Sequence, residues 1–387
     1  MAEADPLKAA ARRPTKRAAP GLPLPDQVAL VLQGGGALGA YQLGIYEALD
    51  EAGIEIDWIS GISIGAANAA IIAGNPPGRR VERLYAFWNK MTGALPAFPM
   101  WGGDFAREIV HELSAATVAT FGVPGLFRPR FVSPFFAPDG CAEAMSFYDS
   151  SPLAESLDTL VDWDLLNDGP IRLSVGAVEV ESGNFRFFDT RRNRIDARHI
   201  MASGALPPGL PPVEIDGKLW WDGGIVSNTP LAHVVEHQDA DMLVFQVDLF
   251  SSTADRPKTI TDVIARTKEI QYSSRTRYVS NQLMRTRTEH QMMTKLLDKL
   301  PPEMADDPDV AALRAITREH AVNVVQLIYR ANAWEGGSRD YEFSARTMHD
   351  HIAAGRAAVA ATMDKSALIA RNIYDGETAA FDLTPKS

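Results

Sequence analysis

The chain has 387 residues, of which 46% are hydrophobic and 22% charged, a balance typical of folded globular proteins. Its formal net charge of -11 argues against nucleic acid as a partner, because proteins that bind nucleic acid usually carry a basic face. Cys141 is the only cysteine, which excludes an internal disulfide and makes a reducing, cytoplasmic compartment the simplest expectation. No apolar run is long enough to predict a secretory signal or a membrane span.

The N-terminal 25 residues combine Arg12, Arg13, Lys16 and Arg17 with alanine and proline. This composition predicts a disordered basic tail over residues 1–25, with order beginning near Gln27.

Residues 27–74 alternate between strand and helix patterns. Residues 27–33 form a short apolar run without helical period, which predicts a buried parallel strand. Apolar residues at helical spacing follow and stop at Gly53, and residues 56–60 form a second strand before an alanine-rich helix that ends near Gly74. Such a βαβα unit predicts an α/β fold with a parallel sheet covered by helices.

Later segments extend this pattern. Strands are predicted at 172–180, 184–188, 242–249 and 322–329, and an ordered but irregular loop at 200–212. A hairpin with Asp216-Gly217 at its turn is predicted over 213–221. Helices are predicted near 81–88, 104–119 and 344–363, and a long one over 258–300. Six of the residues in this long helix are expected to face inward: Val263, Thr267, Ile270, Leu296, Leu297 and Leu300.

A G-x-S-x-G pattern, Gly61-Ile62-Ser63-Ile64-Gly65, lies between a predicted strand and a predicted helix. A sharp turn there holds a serine exposed at the start of the helix, and the glycines relieve the crowding of that turn. Because free N–H groups and the helix dipole favour negative charge at this point, Ser63 is a candidate nucleophile.

A second glycine-rich turn, from Gly34 to Gly39, follows the first predicted strand. Gly34, Gly36 and Gly39 match the dinucleotide fingerprint G-x-G-x-x-G, which also needs an acidic residue at the end of the second strand. Asp57 has about the right separation but lies at the start of that strand. The alternative use of the glycines is to stabilise an oxyanion with backbone N–H groups, as acyl transfer requires.

Taken together, the Gly34–Gly39 loop, the Gly61–Gly65 turn and a later Asp222-Gly223-Gly224 resemble the patatin-like phospholipase family in order and spacing. The block around Asp222 is similar to the second signature of that family. Its matching residues are Ala202, Leu206, Pro208, Pro211, Pro212, Trp221, Asn228 and Pro230. The resemblance covers about residues 27–250.

The resemblance implies a parallel-sheet, three-layer α/β core related to the α/β-hydrolases, and a serine acyl hydrolase with a Ser–Asp dyad. Ser63 matches the nucleophile and Asp222 the proton acceptor. The oxyanion loop is implied at Gly34, Gly35, Gly36 and Gly39, and the remaining motif glycines are Gly61, Gly65, Gly223 and Gly224. No cofactor or metal is expected. Many family members carry Arg or Lys where this chain has Leu38, which removes a charge from the expected oxyanion site.

The expected organisation is a tail (1–25), an acyl hydrolase domain (26–250) and a mainly helical C-terminal extension packed on the core (251–387). The expected substrate is a lipid or another acyl ester, including hydroxybutyrate oligomers of intracellular polyesters. A non-catalytic lipid- or granule-binding protein is the alternative. Oligomeric state is not indicated.

Two further segments bear on the substrate. Residues 258–299 hold nine Lys or Arg against four Asp or Glu, which predicts either a solvated helix face or a docking surface for anionic lipid. The apolar, proline-broken loops 95–101 and 131–136 either pack into the core, or line an acyl channel or cover Ser63 as a lid.

Overall fold

The computed structural model describes residues 16–17, 22–92, 104–254, 256–317, 319–331, 335 and 338–384. Ordered packing begins earlier than the expected boundary near Gln27, because Leu22 and Leu24 are already buried in the core. Among the described residues, no helix is long and apolar enough to cross a membrane.

The strands of the described residues are β1 (Lys16–Arg17), β2 (Pro23–Leu24), β3 (Gln27–Leu32), β4 (Trp58–Gly61), β5 (Arg128–Pro129), β6 (Tyr148–Asp149), β7 (Arg172–Glu179), β8 (Phe185–Asp189), β9 (Val213–Ile215), β10 (Lys218–Asp222), β11 (Met242–Asp248), β12 (Val322–Ile328) and β13 (Ala379–Asp382). Their α-helices are α1 (Ala40–Glu51), α2 (Ile64–Ala73), α3 (Arg80–Thr92), α4 (Asp104–Phe121), α5 (Ser151–Leu160), α6 (Trp163–Asp168), α7 (Ala197–Gly204), α8 (Leu231–Glu236), α9 (Ile260–Leu297), α10 (Pro308–Ile316), α11 (Ala345–Met363) and α12 (Ser366–Asp375).

One mixed, mostly parallel sheet organises the described part of the chain. Its strand order is β13-β12-β11-β3-β4-β7-β10-β9, and β8 pairs with β7. From β13 to β7 every pairing is parallel, whereas β8, β10 and β9 are antiparallel to their neighbours. The predicted α/β fold with a parallel sheet is therefore confirmed, and the predicted hairpin forms its antiparallel edge.

Helices cover both faces of this sheet. Val28, Leu30 and Leu32 of β3 point into the larger core, which α1, α2 and α11 also line. The alternate residues Ala29 and Val31 point into a smaller core beneath α8. Because successive side chains of a strand point to opposite faces of the sheet, both faces of the parallel strands are buried under helices. The result is a three-layer α/β structure.

The region after residue 250 completes the sheet. β12 lies beside β11 and β13 beside β12, so the sheet runs without interruption from the first half of the chain into the second. α11 packs closely on α1, since a Cβ on Gly44 would lie 2.0 Å from the carbonyl oxygen of Ile352. The expected division at residue 250, between an acyl hydrolase domain and a C-terminal extension, stays a prediction.

Two sequence expectations differ from the structure. Residues 200–204 of the expected irregular loop belong instead to α7, which Asp196 caps: its carboxylate accepts a hydrogen bond from the N–H of Arg198.

The inward face expected for the long helix is also wrong. In α9, Val263, Thr267, Ile270 and Leu296 are exposed, and only Leu297 of the expected set is buried. The buried positions are instead polar, at Glu269, Ser273, Thr276 and Ser280. Two of them have polar partners: the hydroxyls of Thr276 and Thr229 form a 2.9 Å hydrogen bond, and Glu269 pairs with Arg266 and Arg339. The apolar pattern alone therefore predicted the wrong face.

Candidate active site

Ser63 lies on a strained turn between β4 and α2. Its backbone has φ 55° and ψ -123°, a conformation that residues other than glycine rarely adopt. The flanking glycines make the turn possible: a Cβ on Gly61 would lie 2.5 Å from the carbonyl oxygen of Gly65, and one on Gly65 would lie 2.4 Å from that of Leu32. The two motif glycines are therefore required by close backbone contacts.

The side chain of Ser203, in α7, hydrogen-bonds the backbone of this turn and so holds it in place. The N–H of Ser63 donates to the Ser203 hydroxyl at 3.0 Å, and that hydroxyl donates to the carbonyl of Gly176 at 2.7 Å. Ser203 is fully buried, so both hydrogen bonds are shielded from water. Sequence reasoning missed this residue, because nothing in the chain around it marks a partner 140 residues away.

Asp222 ends β10 and is 3% exposed. The Ser63 side chain hydrogen-bonds its carboxylate, and the N–H of Gly224 donates to it at 2.7 Å. Burial raises the pKa of Asp222 to about 6, because an ionised carboxylate is poorly solvated there, although the two hydrogen bonds act in the opposite direction. A carboxyl with a pKa near neutrality can both accept and return a proton.

The glycine loop follows β3 and faces the serine turn. Gly34 is held at both ends: its N–H donates to the carbonyl of Asn228 at 3.4 Å, and its carbonyl accepts from the Asn228 side chain at 2.9 Å. Within the described part of the chain, the N–H groups of Gly35 and Gly36 have no acceptor. These two donors, rather than that of Gly34, are free to meet an oxyanion.

Gln33 anchors the loop to the end of β11. Its side-chain oxygen accepts from the N–H groups of Leu249 at 2.5 Å and Phe250 at 3.2 Å. Its backbone carbonyl accepts from Gln42 at 2.6 Å. Sequence reasoning missed Gln33 because its partners become neighbours only in the folded sheet.

The other motif residues serve packing. Gly39 does not line the cavity; a Cβ there would lie 2.7 Å from Ile64 and 3.0 Å from Trp88. A Cβ on Gly223 would lie 2.6 Å from the carbonyl oxygen of Gly176, whereas Gly224 reaches the cavity wall. Leu38 is buried in the core, where its apolar side chain suits its surroundings.

A cavity of about 220 Å³ opens above Ser63 and Asp222. Gly34, Gly35 and Gly36 lie on one side, and most of the remaining wall is apolar. Representative apolar residues of the wall are Leu126, Phe127, Leu153, Leu206, Leu210 and Phe343. The structure therefore brings the predicted nucleophile, base and glycine loop together beside an apolar chamber.

The dinucleotide alternative finds no support in this geometry. Asp57 lies at the opposite end of β4 from the serine turn, where its carboxylate accepts from the N–H of Val28 at 2.8 Å, so it is not placed as a dinucleotide fingerprint requires. Among the described residues, no group of three or more His, Cys, Asp or Glu is arranged to hold a metal.

One of the two apolar loops lies within the described residues. Its side chains Phe131, Phe135 and Phe136 are largely exposed and do not line the cavity, so loop 131–136 is neither core nor channel wall. Loop 95–101 lies outside the described residues.

These features define an α/β protein with a serine at a strand–helix turn, a hydrogen-bonded carboxylate and a glycine loop. A family model described as patatin-like phospholipase matches residues 30–235, more than half of the chain. A second model, described as patatin phospholipase, matches residues 270–373. The chain belongs to the patatin-like phospholipase family.

The named relatives are similar to this chain over only a small part of their own length. It is 26% identical over 238 residues to lysophospholipase NTE1 of Phaeosphaeria nodorum and 28% identical over 238 residues to lysophospholipase nte1 of Aspergillus terreus. Each match covers 62% of this chain but 13% of the relative's length. Among solved structures, VipD from Legionella pneumophila is similar at 14% identity and a TM-score of 0.40, covering 92% of this chain and 72% of that one.

Proposed function

We propose that the protein is a serine acyl-ester hydrolase in which Ser63 is the nucleophile and Asp222 the base. The observation that carries the proposal is the hydrogen bond between Ser63, half-buried at a strained turn, and a buried carboxylate whose pKa is raised to about 6. It lies beside two free backbone N–H groups at the floor of an apolar cavity. Family membership supports the reaction class.

The geometry supports a two-step reaction. Ser63 Oγ attacks the ester carbonyl carbon while its proton passes to the Asp222 carboxylate, and the N–H groups of Gly35 and Gly36 stabilise the oxyanion. The tetrahedral intermediate collapses, and the alcohol leaves with the proton from Asp222. Water then gives a proton to Asp222 and attacks the acyl-enzyme. The second collapse releases the carboxylic acid and restores Ser63 with the proton held by Asp222.

The wall of the cavity favours a substrate with an acyl chain. Most of this wall is apolar, and each methylene group buried against it contributes roughly 0.8 kcal/mol. A lysophospholipid is a candidate substrate, because the relatives that match this chain are named lysophospholipases.

Contact with a lipid surface is part of this proposal, as is a cytoplasmic location. The flap, residues 130–147, connects the paired strands β5 and β6 and carries the exposed side chains of Phe131, Phe135 and Phe136. Its base is attached to the cavity rim, since the N–H of Phe147 donates to the carbonyl of Pro208 at 3.2 Å. Apolar side chains at this position can enter a lipid surface beside the substrate entrance.

Liposome co-sedimentation separates the flap from the basic helix α9. Binding through the flap is expected to persist at high salt and to weaken in Phe135→Ser/Phe136→Ser. Binding through α9 would disappear at high salt and survive that double change. Absence of binding under both conditions would contradict surface contact.

Covalent labelling by a fluorophosphonate probe tests the reaction itself. Wild-type protein should be labelled and should hydrolyse a short aryl ester, and Ser63→Ala should lose both without a change in melting temperature. A protein that binds lipid but is never labelled would be the non-catalytic alternative. Comparison of lysophospholipid, diacyl phospholipid and hydroxybutyrate oligomers then identifies the preferred ester.

A further inference from the structure

Part of the cavity wall comes from beyond the segment that the patatin-like phospholipase model matches. Tyr272 of α9 and the cap, residues 338–343, lie across from the residues of the first half, and Phe250 lies beside Tyr272. The rings of Phe250 and Tyr272 are stacked with their centroids 4.9 Å apart. The chamber above Ser63 is therefore completed by the second half of the chain.

The cap lies directly on the glycine loop. A Cβ placed on Gly36 would be 2.2 Å from the backbone carbonyl oxygen of Asp340, so the two backbones are in van der Waals contact there. At the other end of the cap, Phe343 stacks on Trp88, with ring centroids 6.4 Å apart. The Trp88 indole in turn donates to Asn68 at 3.1 Å. The cap thus has a fixed position relative to the oxyanion donors.

Ion pairs to α9 hold the cap in this position. Lys268 pairs with Asp340, and Glu269 accepts hydrogen bonds from both Arg339 and Arg266. Glu269 and Arg339 are buried, with side chains 8% and 9% exposed. A buried charge pair is costly unless its hydrogen bonds are satisfied in one geometry. The pairs therefore fix the register of the cap against α9.

Tyr341 and Phe343 occupy different depths of the chamber. Phe343 is 3% exposed and faces its apolar interior, whereas Tyr341 is 42% exposed and stands at the entrance. The Tyr341 hydroxyl makes no hydrogen bond within the described part of the chain. Burial and the nearby carboxylates of Asp340 and Asp222 raise the pKa of Tyr341 to about 12, so the group remains a neutral donor.

We propose that Tyr341 is a specificity-determining residue: its hydroxyl binds an oxygen-rich alcohol part of the ester, while the acyl chain lies against Phe343. An ester bound at Ser63 must place its acyl chain in the apolar interior, and its polar alcohol remains at the entrance. The ligand chemistry is an alcohol that carries hydrogen-bond acceptors, as in a glycerophospho group or in glycerol. This inference rests on the proposed hydrolase function.

The test compares esters with one acyl chain in common and different alcohols: 1-naphthol, which carries no further acceptor, glycerol and glycerophosphocholine. Tyr341→Phe removes only the hydroxyl. It is expected to lower kcat/KM about tenfold for the two polar esters, mainly through KM, and to change the aryl ester less than twofold. Loss for the glycerophosphocholine ester alone would identify the phosphate as the group bound, and loss for both polar esters would identify the glycerol oxygens. Equal loss for all three esters, or for none, would overturn the inference.

Two controls keep the result interpretable. Tyr278→Phe removes a hydroxyl from the exposed side of α9, away from the cavity, and should leave all three esters unchanged. Lys268→Gln breaks the ion pair to Asp340 and removes the ammonium group that lies 4.9 Å from the ring centroid of Tyr341, without altering a cavity residue. It should reduce the preference for polar esters about threefold in the same direction as Tyr341→Phe. Failure of the proposed hydrolase function is recognised separately, because aryl-ester turnover by the wild-type protein would then be absent.

Discussion

The serine turn and the glycine loop face each other across the cavity but are held in different ways. The turn is shaped mainly by close contacts of its own backbone, between Gly61, Gly65 and the end of β3. The loop is held by side chains and backbone from distant parts of the chain, namely Asn228, Leu249 and Asp340. A local motif can thus shape the turn of the proposed nucleophile, whereas the position of the proposed oxyanion donors depends on the completed fold.

The largest effect is expected at Asp222, which hydrogen-bonds Ser63 of the serine turn and lines the cavity. Asp222→Asn removes the base but keeps the shape of the side chain, so kcat should fall about 10²–10⁴-fold with little change in KM. Steady-state assays with an aryl ester measure kcat and KM. Asp216→Asn, the same change at an exposed hairpin turn, serves as the control and should have no effect. Activity of Asp222→Asn within a few-fold of wild type would mean that another group is the base.

Asn228→Ala tests the support of the glycine loop. The change deletes the hydrogen bond to the carbonyl of Gly34 and leaves space beside Gly224. Because the oxyanion donors then lose their fixed direction, kcat should fall roughly ten- to a hundredfold. Labelling by the fluorophosphonate should slow in parallel. A change in KM alone would indicate that Asn228 contacts the substrate instead of positioning the loop.

The pH dependence of kcat/KM reports the base directly. Asp222 acts as the carboxylate, and burial raises its pKa to about 6, so protonation should remove activity as the pH falls through 6. At pH 5 the rate should be about a tenth of the plateau, since the ionised fraction falls tenfold for each pH unit below the pKa. An acid limb near pH 4, the ordinary value for an aspartate, would contradict a desolvated base.

Ser203→Ala is expected to have the smallest effect on the rate and the clearest effect on stability. It removes a buried hydroxyl that joins the N–H of Ser63 to the carbonyl of Gly176, leaving both groups unsatisfied. The free energy of unfolding should fall by about 1–3 kcal/mol. Chemical denaturation of the variant and of the wild-type protein measures this difference in the free energy of unfolding. If kcat fell more than in Asn228→Ala, the serine turn would depend on distant support as much as the glycine loop does.

Much of the fold was predictable from local pattern. The apolar run of β3 and the helix that follows it agree with the structure within a few residues, because hydrophobic period and glycine stops are read from neighbouring positions. The buried side of α9 was not predictable in this way. Its inner residues, such as Glu269 and Thr276, are polar because they bond to polar partners that only tertiary contacts supply.

The pair of glycine turns, the serine between a strand and a helix, and the resemblance that pointed to Asp222 could all be predicted before folding was considered. Those features depend on spacing along the chain and on the small size of glycine. Three other features follow only from the folded arrangement: which glycine N–H groups are free, which side chains fix them, and that residues 338–343 line the cavity. Such contacts join positions up to about 300 residues apart, as between Gly36 and Asp340. Helix and strand propensities depend on neighbouring residues, so they cannot predict these contacts.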